Sequence, residues 1–286
     1  RTMVPDVLRK YLGRPNARDN QPDDEAKLKC TGTTRRYGMN STRHKTHHAI
    51  TQGGNSLSRY QDVIVGRRSI ATTLYFELCV WLAPVPGAIG LFLRKLFWPR
   101  LFAACGTGVV FGRGIILRHP GRVSLGQRVV VGEGTTLDAR SSSPQVSLAI
   151  GDDVMIADHC ALSCKEGMLR IGNRVGLGTQ TVIQSTHQCP TSIGDDVIIG
   201  PGCYIVGGGN YQLDDPDQLI RTQEIRSDGG CIIENNVWLG GKVTVLDGAK
   251  IGHSTVIAAG AVVTREIPPY CICAGVPARV IKHRKE

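Results

Sequence analysis

Residues 231–263 read CIIENNVWLGGKVTVLDGAKIGHSTVIAAGAVV, and within them an aliphatic residue returns at every sixth position. The members of this series are Ile233, Leu239, Val245, Ile251, Ile257 and Val263. A period of six fits neither the 3.6-residue turn of an α-helix nor the two-residue alternation of one long strand. It is typical of a solenoid in which each six residues form a short strand and a tight bend.

The same series extends upstream as far as residue 111. Three units make one coil, and the earlier units are Leu125, Val131, Leu137, Ile150, Ile156, Leu162, Ile171, Leu177, Ile183, Ile193, Ile199 and Ile205, with Phe111 and Leu117 fitting more loosely. The aliphatic residues would fill a three-sided prism, and small residues after them, many of the 35 glycines included, would allow the bends. The sequence therefore predicts an all-β fold, a parallel β-helix.

The spacing between coils is uneven, and the extra residues always fall at the same place. The first units of successive coils are residues 125, 150, 171, 193, 233 and 251, and only the last interval is the bare eighteen. Each excess lies between the third unit of one coil and the first unit of the next. The insertions are residues 138–149, 163–170, 184–192 and 206–232. They should stack on one edge of the prism, where we expect the functional site.

Residues 1–70 differ in composition from this repeat. They hold 14 Lys and Arg against 6 Asp and Glu, which is +8 of the net +10 of the whole chain. Low apolar periodicity and high charge predict a disordered basic arm. A nucleic-acid partner is not predicted, because the basic residues are not interleaved with aromatic residues on a folded face.

Residues 71–105 are predicted to form an amphipathic helical segment. The stretch 72–104, TTLYFELCVWLAPVPGAIGLFLRKLFWPRLFAA, suggests two short helices that meet at APVPG, with aromatic residues on one side and Arg94, Lys95 and Arg100 on the other. Prolines and charges interrupt it too often for a membrane span. Two roles stay open: peripheral contact with a membrane surface, or a cap on the core of the next domain. The β-helix domain would then comprise residues 106–286, with its longest inserted loop at 206–232.

The repeat over about residues 111–284 resembles that of the hexapeptide-repeat acyltransferases, and the tail 237–284 from VWLGGKV to VIKHR is the most specific part. Upstream, LFLRKLFWPRLF and ILRHPGRVSLG resemble members associated with surface polysaccharide synthesis, of the sugar O-acetyltransferase type. The resemblance implies a left-handed β-helix, a homotrimer, acetyl-CoA as acyl donor and a sugar or glycan hydroxyl as acceptor. We also expect a cytoplasmic protein, and the role that residues 72–104 leave open would make it peripheral at the inner face of the membrane.

The resemblance places the catalytic base in the longest insertion, as a His followed by an aromatic residue and Asp-Pro. This chain has Gly209-Asn210-Tyr211 at that position, and therefore lacks the His. His187, on the same edge one coil earlier, is the best replacement base, with a solvent-exposed loop His as the alternative. Asn210 could hold the acceptor hydroxyl or the oxyanion, but an amide is not a base.

The donor-binding residues follow from the same resemblance. Trp238 takes the position of the tryptophan beside the donor groove, although it could equally be a packing residue. The backbone of Gly240, Gly241, Ala258, Ala259 and Gly260 would form the wall along the pantetheine, and Lys282 and Arg284 would suit the coenzyme A phosphates.

No metal is predicted. Cys271 and Cys273 are expected to face opposite ways in a strand, which makes a shared zinc ion difficult. Two other functions stay open. The missing loop His favours a catalytically silent scaffold or binding protein, whereas a β-helix carbonic anhydrase would need three zinc-binding His residues whose placement the sequence does not show.

Overall fold

The computed structural model describes residues 55–141, 145–186 and 189–285. Most of the predicted arm therefore lies outside the described residues. From Ala104 onward the chain coils through three sheets in turn, which we name A, B and C, and its strands are numbered β1–β25 in chain order. Neighbouring strands within each sheet come from successive coils and pair in parallel, apart from the last strand of sheet B.

Sheet A contains Ala104–Cys105 (β1), Val123–Leu125 (β4), Leu148–Ile150 (β7), Leu169–Ile171 (β10), Thr191–Ile193 (β13), Cys231–Ile233 (β18) and Lys250–Ile251 (β21). Sheet B contains Val110–Phe111 (β2), Val130–Val131 (β5), Met155–Ile156 (β8), Gly176–Leu177 (β11), Ile198–Ile199 (β14), Trp238–Leu239 (β19), Val256–Ile257 (β22), Cys271–Ala274 (β24) and the antiparallel Arg279–His283 (β25). Sheet C contains Ile116–Arg118 (β3), Thr136–Asp138 (β6), Ala161–Lys165 (β9), Val182–Thr186 (β12), Tyr204–Gly207 (β15), Thr244–Val245 (β20) and Val262–Val263 (β23).

The predicted hexapeptide units are the core of this solenoid. Ile150 pairs with Ile171, and Ile171 with Ile193, so that the first units of successive coils stack in register. The second and third units stack in the same way in sheets B and C, and all of these aliphatic side chains are buried. The prediction of an all-β parallel β-helix is confirmed. The left-handed coiling stays a prediction from the resemblance.

The coils are also linked at the corner between sheets A and B by a column of Asp and Asn side chains. Asp152 Oδ1 accepts the backbone N–H of Gln127 at 2.7 Å, and Asn173 Oδ1 accepts that of Asp152 at 2.9 Å. Asp195 Oδ1 then accepts the N–H of Asn173 at 2.7 Å, and Asn235 Oδ1 that of Asp195 at 2.9 Å. Each coil therefore satisfies a turn donor of the coil before it.

The helices precede the solenoid. They are Ser56–Tyr60 (α1), Ile70–Leu82 (α2) and Gly87–Phe97 (α3), with a π-helical turn at Gln61–Val65 and 3₁₀ turns at Trp98–Leu101, Pro120–Arg122 and Ile220–Thr222. We call residues 55–103 the helical cap. Trp98 is buried, donates from Nε1 to the Cys79 carbonyl at 3.1 Å, and its ring lies 5.3 Å from that of Phe111 in the first coil. Of the two roles left open for this segment, these contacts show the second, in which it caps the core of the solenoid.

Arg94 corrects the expectation that the basic residues of this segment share one polar side. It is 1% exposed, and its guanidinium donates to the carbonyl oxygens of Leu82 at 3.1 Å, Val85 at 2.8 Å and Phe111 at 3.0 Å. The cation points inward because the end of α2 presents carbonyls without intrahelical partners. No helix in the described part of the chain is long and apolar enough to cross a membrane.

The cysteines in the described residues are buried, apart from the half-buried Cys105. Cys79 lies in the helical cap, and the others lie in the solenoid and its insertions. Cys271 and Cys273 are both fully buried, which corrects the expectation that they face opposite ways: residues two apart in a strand share a face. Burial raises the pKa of the Cys231 thiol to about 12. Such thiols are filler, not nucleophiles.

Candidate functional site

All four predicted insertions lie at the edge between sheets C and A, where the chain leaves a sheet C strand and enters the next sheet A strand. The longest insertion carries its own antiparallel pair, Asn210–Tyr211 (β16) with Ile225–Arg226 (β17). Gly208 and Gly209, at φ 84° and 94°, turn the chain out of β15 into this hairpin. We call this border the insertion edge.

Asn210 lies at the base of the hairpin, exposed, and its side chain is held by a neighbouring carboxylate. Its Nδ2 donates to Asp228 Oδ2 at 2.8 Å, and Arg226 Nε donates to Asp228 Oδ1 at 2.6 Å. The hydrogen bond with Arg226, followed by the one with Asn210, holds the pKa of the Asp228 carboxyl below its usual range. Asp228 therefore stays ionised at neutral pH and orients the Asn210 amide.

Asp247, from the next coil, anchors the end of the hairpin. It is 6% exposed, and its two carboxylate oxygens accept the backbone N–H groups of Asp228 at 2.9 Å and Gly230 at 2.7 Å. The sequence interpretation missed Asp228, Asp247 and Arg226. The signals available were an Asp before Gly229-Gly230 at the end of the insertion and an Asp-Gly turn at 247–248.

His187, the predicted base, lies outside the described residues, so its side chain has no described position. Its chain neighbour Thr186 ends β12 and lies beside the start of the hairpin: Thr186 Oγ1 donates to the Gly207 carbonyl at 3.3 Å, and a Cβ on Gly208 would lie 2.6 Å from the Thr186 carbonyl oxygen. Thr186, the last described residue before His187, therefore lies beside the Gly-rich approach to Asn210.

The predicted donor wall lies at a different border, the corner between sheets B and C. Gly240 and Gly241 follow β19, and Ala258, Ala259 and Gly260 follow β22 in the next coil. The two turns are in close contact, because a Cβ on Gly240 would lie 2.6 Å from the Ala259 nitrogen. Trp238 precedes this wall on sheet B and is 54% exposed, which fits a groove residue better than a packing residue.

The two predicted phosphate ligands, Lys282 and Arg284, lie farther from the donor wall than Trp238 does. Arg284 donates to the Ser254 carbonyl at 2.6 Å, at the corner between sheets A and B, on the far side of sheet B. Lys282 is exposed on β25, opposite Ile272. Because β25 runs antiparallel, its first residue, Arg279, is the strand's cation nearest the wall, and it follows Ala278, whose N–H donates to Val262 at 2.8 Å.

A second concavity lies at the corner between sheets A and B, and it contains none of the predicted site residues. It is a groove of about 440 Å³ lined by Ser192, Gly194, Ile232, Ile233, Glu234, Asn235, Asn236, His253 and Ser254. His253 packs edge-on against Tyr270, with ring centroids 4.7 Å apart. Arg284, bonded to Ser254, borders this groove.

Two family models match the solenoid. Residues 230–265 match the bacterial transferase hexapeptide (six repeats), and residues 168–206 match the hexapeptide repeat of succinyl-transferase. The matched residues are therefore hexapeptide repeats of the kind found in these transferases.

Relatives of this hexapeptide-repeat chain include named acetyltransferases. It is 36% identical over 169 residues to a probable acetyltransferase of Mycobacterium tuberculosis, covering 59% of this chain and 54% of the relative. It is 40% identical over 91 residues to the galactoside O-acetyltransferase of Escherichia coli, covering 32% of this chain and 43% of the relative. The chain thus spans about half the length of the curated relatives it matches.

Among solved structures, the chain is similar to a mutant of an N-acyltransferase from Bacillus cereus in complex with dTDP-4-amino-4,6-dideoxyglucose and coenzyme A. The identity is 19%, the TM-score is 0.47, and the match covers 65% of this chain and 85% of the other. At that level the likeness adds no argument about the site.

Proposed function

We propose that the chain carries the acyl-transfer unit of an acetyl-CoA-dependent O-acetyltransferase acting on a sugar or glycan hydroxyl. The observation that carries the proposal is the Asn210–Asp228–Asp247 network at the base of the longest insertion of a hexapeptide solenoid. The names of the M. tuberculosis and E. coli relatives support the transfer of acetyl groups, and the second supports a sugar acceptor. A lipid-linked glycan precursor at the cytoplasmic face of a membrane is the acceptor class that we infer.

The reaction needs a base and a donor for the oxyanion. The base, for which His187 is the candidate, takes the proton of the acceptor hydroxyl while its oxygen attacks the thioester carbonyl. In the tetrahedral intermediate, the Asn210 amide holds the acceptor or the oxyanion. The carbon–sulfur bond then breaks, the base returns its proton to the thiolate, and free thiol and an acetyl ester are the products. Asp228 is a positioning residue, because it acts through Asn210.

The proposed site needs two copies of the chain. The hairpin lies at the border of sheets C and A, and the donor wall at the border of sheets B and C, so that the full width of sheet C separates them within one copy. Lateral packing of copies in a homotrimer would place the insertion edge of one beside the donor wall of the next. We propose this arrangement for the assembly.

The test measures thiol release from acetyl-CoA with a panel of sugars for the wild type, His187→Ala, Asn210→Ala and Asp228→Asn. We expect Asn210→Ala to lower kcat by about 10²–10³-fold, the loss usual for one oxyanion donor, and His187→Ala to lower it by about 10²–10⁴-fold. The kcat of Asp228→Asn should lie between that of Asn210→Ala and that of the wild type. Turnover unaffected by His187→Ala would remove that residue as the base.

The second candidate function is the catalytically silent scaffold. The absence of a His at Gly209-Asn210-Tyr211 favours it. A wild-type protein that binds coenzyme A or a glycan in calorimetry, and yet releases no thiol with any acceptor in the panel, would decide for the scaffold and against the enzyme.

A further inference from the structure

The outer face of α2 is apolar although it faces solvent. Ile70, Leu74, Leu78 and Trp81 are 68%, 66%, 46% and 78% exposed, and their spacing of four, four and three residues places them in one row along the helix. The opposite face of α2 is also apolar, since Phe76 and Cys79 are buried in the core cluster that the cap and the solenoid share. A surface helix normally turns polar residues to water, so that a helix apolar all round indicates a second covering.

The neighbouring helix α3 repeats this feature. Ile89, Phe92 and Leu96 are 72%, 64% and 53% exposed, at intervals of three and four residues. Scattered exposed apolar residues are ordinary on proteins, whereas a whole exposed row on each of two helices in contact is the kind of apolar surface that marks an interaction site. We call these two rows the patch.

The helical cap, which carries the patch, has a positive net charge. The helical cap contains six Lys and Arg but only two acidic residues, and both of these are engaged: Asp62 pairs with Arg68 at 2.6 Å, and Glu77 accepts the Tyr60 hydroxyl. The cap's exposed cations include Arg67, Lys95 and Arg100, for which the described residues supply no ion-pair partner.

The net positive charge of the chain lies entirely in residues 1–103. Residues 104–286 contain 17 Lys and Arg and 17 Asp and Glu, and are therefore neutral. The whole net charge of +10 divides into +6 on residues 1–54 and +4 on the cap. An apolar surface flanked by cations, at the charged end of an otherwise neutral molecule, is the combination that binds an anionic bilayer surface.

We propose that the helical cap docks on an anionic lipid bilayer. The rows on α2 and α3 enter the boundary between headgroups and acyl chains, and Arg67, Lys95 and Arg100 contact lipid phosphates. The solenoid stays outside the bilayer, in keeping with its neutral charge.

Charge also argues against the other occupants of the patch. A second copy would bring one +4 cap against another, and residues 1–54, with +6, would be repelled by the cap. An anionic bilayer is attracted by both segments at once. The proposal does not depend on the acyl-transfer reaction, and its test uses neither acyl donor nor acceptor.

The binding experiment floats the full chain with extruded vesicles of phosphatidylcholine alone or with 30 mol% phosphatidylglycerol, at about 0.1 M and 0.5 M salt. We expect binding to the anionic vesicles, weakened at the higher salt concentration. The double variant Leu74→Asp/Trp81→Asp should lose about tenfold or more of its partition coefficient. The control Ile232→Asp replaces an exposed apolar residue on sheet A, outside both the cap and the proposed trimer contact, and its affinity for vesicles should stay at the wild-type level.

Tryptophan fluorescence locates the contact. The chain has three Trp residues, of which Trp98 is buried while Trp81 and Trp238 are exposed. Vesicles with brominated acyl chains should quench the wild type and Trp238→Phe, and the quenching should largely disappear in Trp81→Phe. Circular dichroism on each variant establishes that it is folded.

Three results would overturn the proposal. One is the absence of flotation with anionic vesicles, and another is flotation that folded Leu74→Asp/Trp81→Asp retains in full, which would assign binding to residues 1–54. The third is a folded cap variant whose oligomeric mass in light scattering changes while its lipid binding does not, since the patch would then be an interface between copies.

Discussion

At the scale of single residues, the position of Asn210 depends on hydrogen bonds that converge on Asp247. Its carboxylate accepts two backbone donors, of Asp228 and the buried Gly230. Asp247→Ala leaves both without a partner and should lower the free energy of unfolding by about 2–4 kcal/mol. Asp247→Asn, which keeps one acceptor oxygen, should lose less. Urea denaturation measures both changes.

The control for this prediction is Asp214→Ala, which removes an exposed carboxylate from the same insertion and should change stability by less than about 0.5 kcal/mol. Equal stability of Asp247→Ala and Asp214→Ala would mean that the hairpin does not depend on Asp247.

His119 gives the cap a pH-dependent attachment. It is 6% exposed, its Nε2 lies 2.9 Å from the Asp62 carbonyl oxygen, and its Nδ1 lies 3.1 Å from Arg122 Nη1. Both contacts are satisfied when Nε2 donates and Nδ1 accepts, which is the neutral ring. Burial, and then the charge of Arg122, lower the pKa of His119 from its ordinary 6.5.

Because the folded-state pKa lies below the unfolded-state value, the stabilisation from neutral His119 is present above about pH 6.5. It is lost as the pH falls from there through the folded-state pKa. We expect amide hydrogen exchange at residues 60–66 to accelerate between pH 7.5 and 5.5, after correction for the intrinsic rate. His119→Asn, which tolerates the φ of 51° and does not titrate, should flatten this dependence. An unchanged dependence in His119→Asn would assign it to another group.

At the scale of elements, the turns between sheets B and C set how closely two coils approach. A Cβ on Gly200 would lie 2.5 Å from the Gly241 backbone nitrogen, whereas a Cβ on Gly176, within strand β11 one coil earlier, would have no atom within 4 Å. Gly200→Ala should therefore cost about 1–3 kcal/mol, and Gly176→Ala should be neutral or stabilise by up to about 1 kcal/mol. The difference between their urea midpoints is the measurement, and two equal midpoints would contradict it.

The sequence predicted the strands well because each hexapeptide unit has a single inward position. Ile150, Ile171 and Ile193 could be aligned by counting, and the place of the insertions followed from the same count. The contact between Asn210 and Asp228 could not be predicted in this way, since it joins two residues within an insertion that has no period.

The cap shows a different limit of sequence patterns. Two helices that meet at a proline-containing link were predicted, and α2 and α3 are present. The inward direction of Arg94 was not predicted, because it depends on carbonyls of α2 and of the first coil that only the tertiary structure brings together. Composition alone assigns an arginine to the polar side.

At the scale of the whole molecule, the proposed trimer predicts that a charged substitution on the outer face of sheet B lowers the oligomeric mass. Met155, Ile198 and Trp238 lie in one outward row, in which Gly176 stands between Met155 and Ile198, and they are 61%, 61% and 54% exposed. Light scattering should give three times the chain mass of 30.9 kDa for the wild type and a smaller mass for Ile198→Asp. Ile232→Asp, on sheet A, is the control. A wild-type mass of one chain would contradict the trimer.

The column of Asp and Asn side chains at the corner between sheets A and B has a consequence for synthesis on the ribosome. Asp152 completes the turn at Gln127, and Asn235 completes the turn at Asp195, so that the acceptor always belongs to the coil translated later. The backbone N–H at the corner of a newly emerged coil therefore lacks its side-chain acceptor until the next coil has been translated. Each coil can complete this corner only after the following coil has left the exit tunnel. The delay is longest at the 206–232 insertion, where 40 residues separate Asp195 from Asn235.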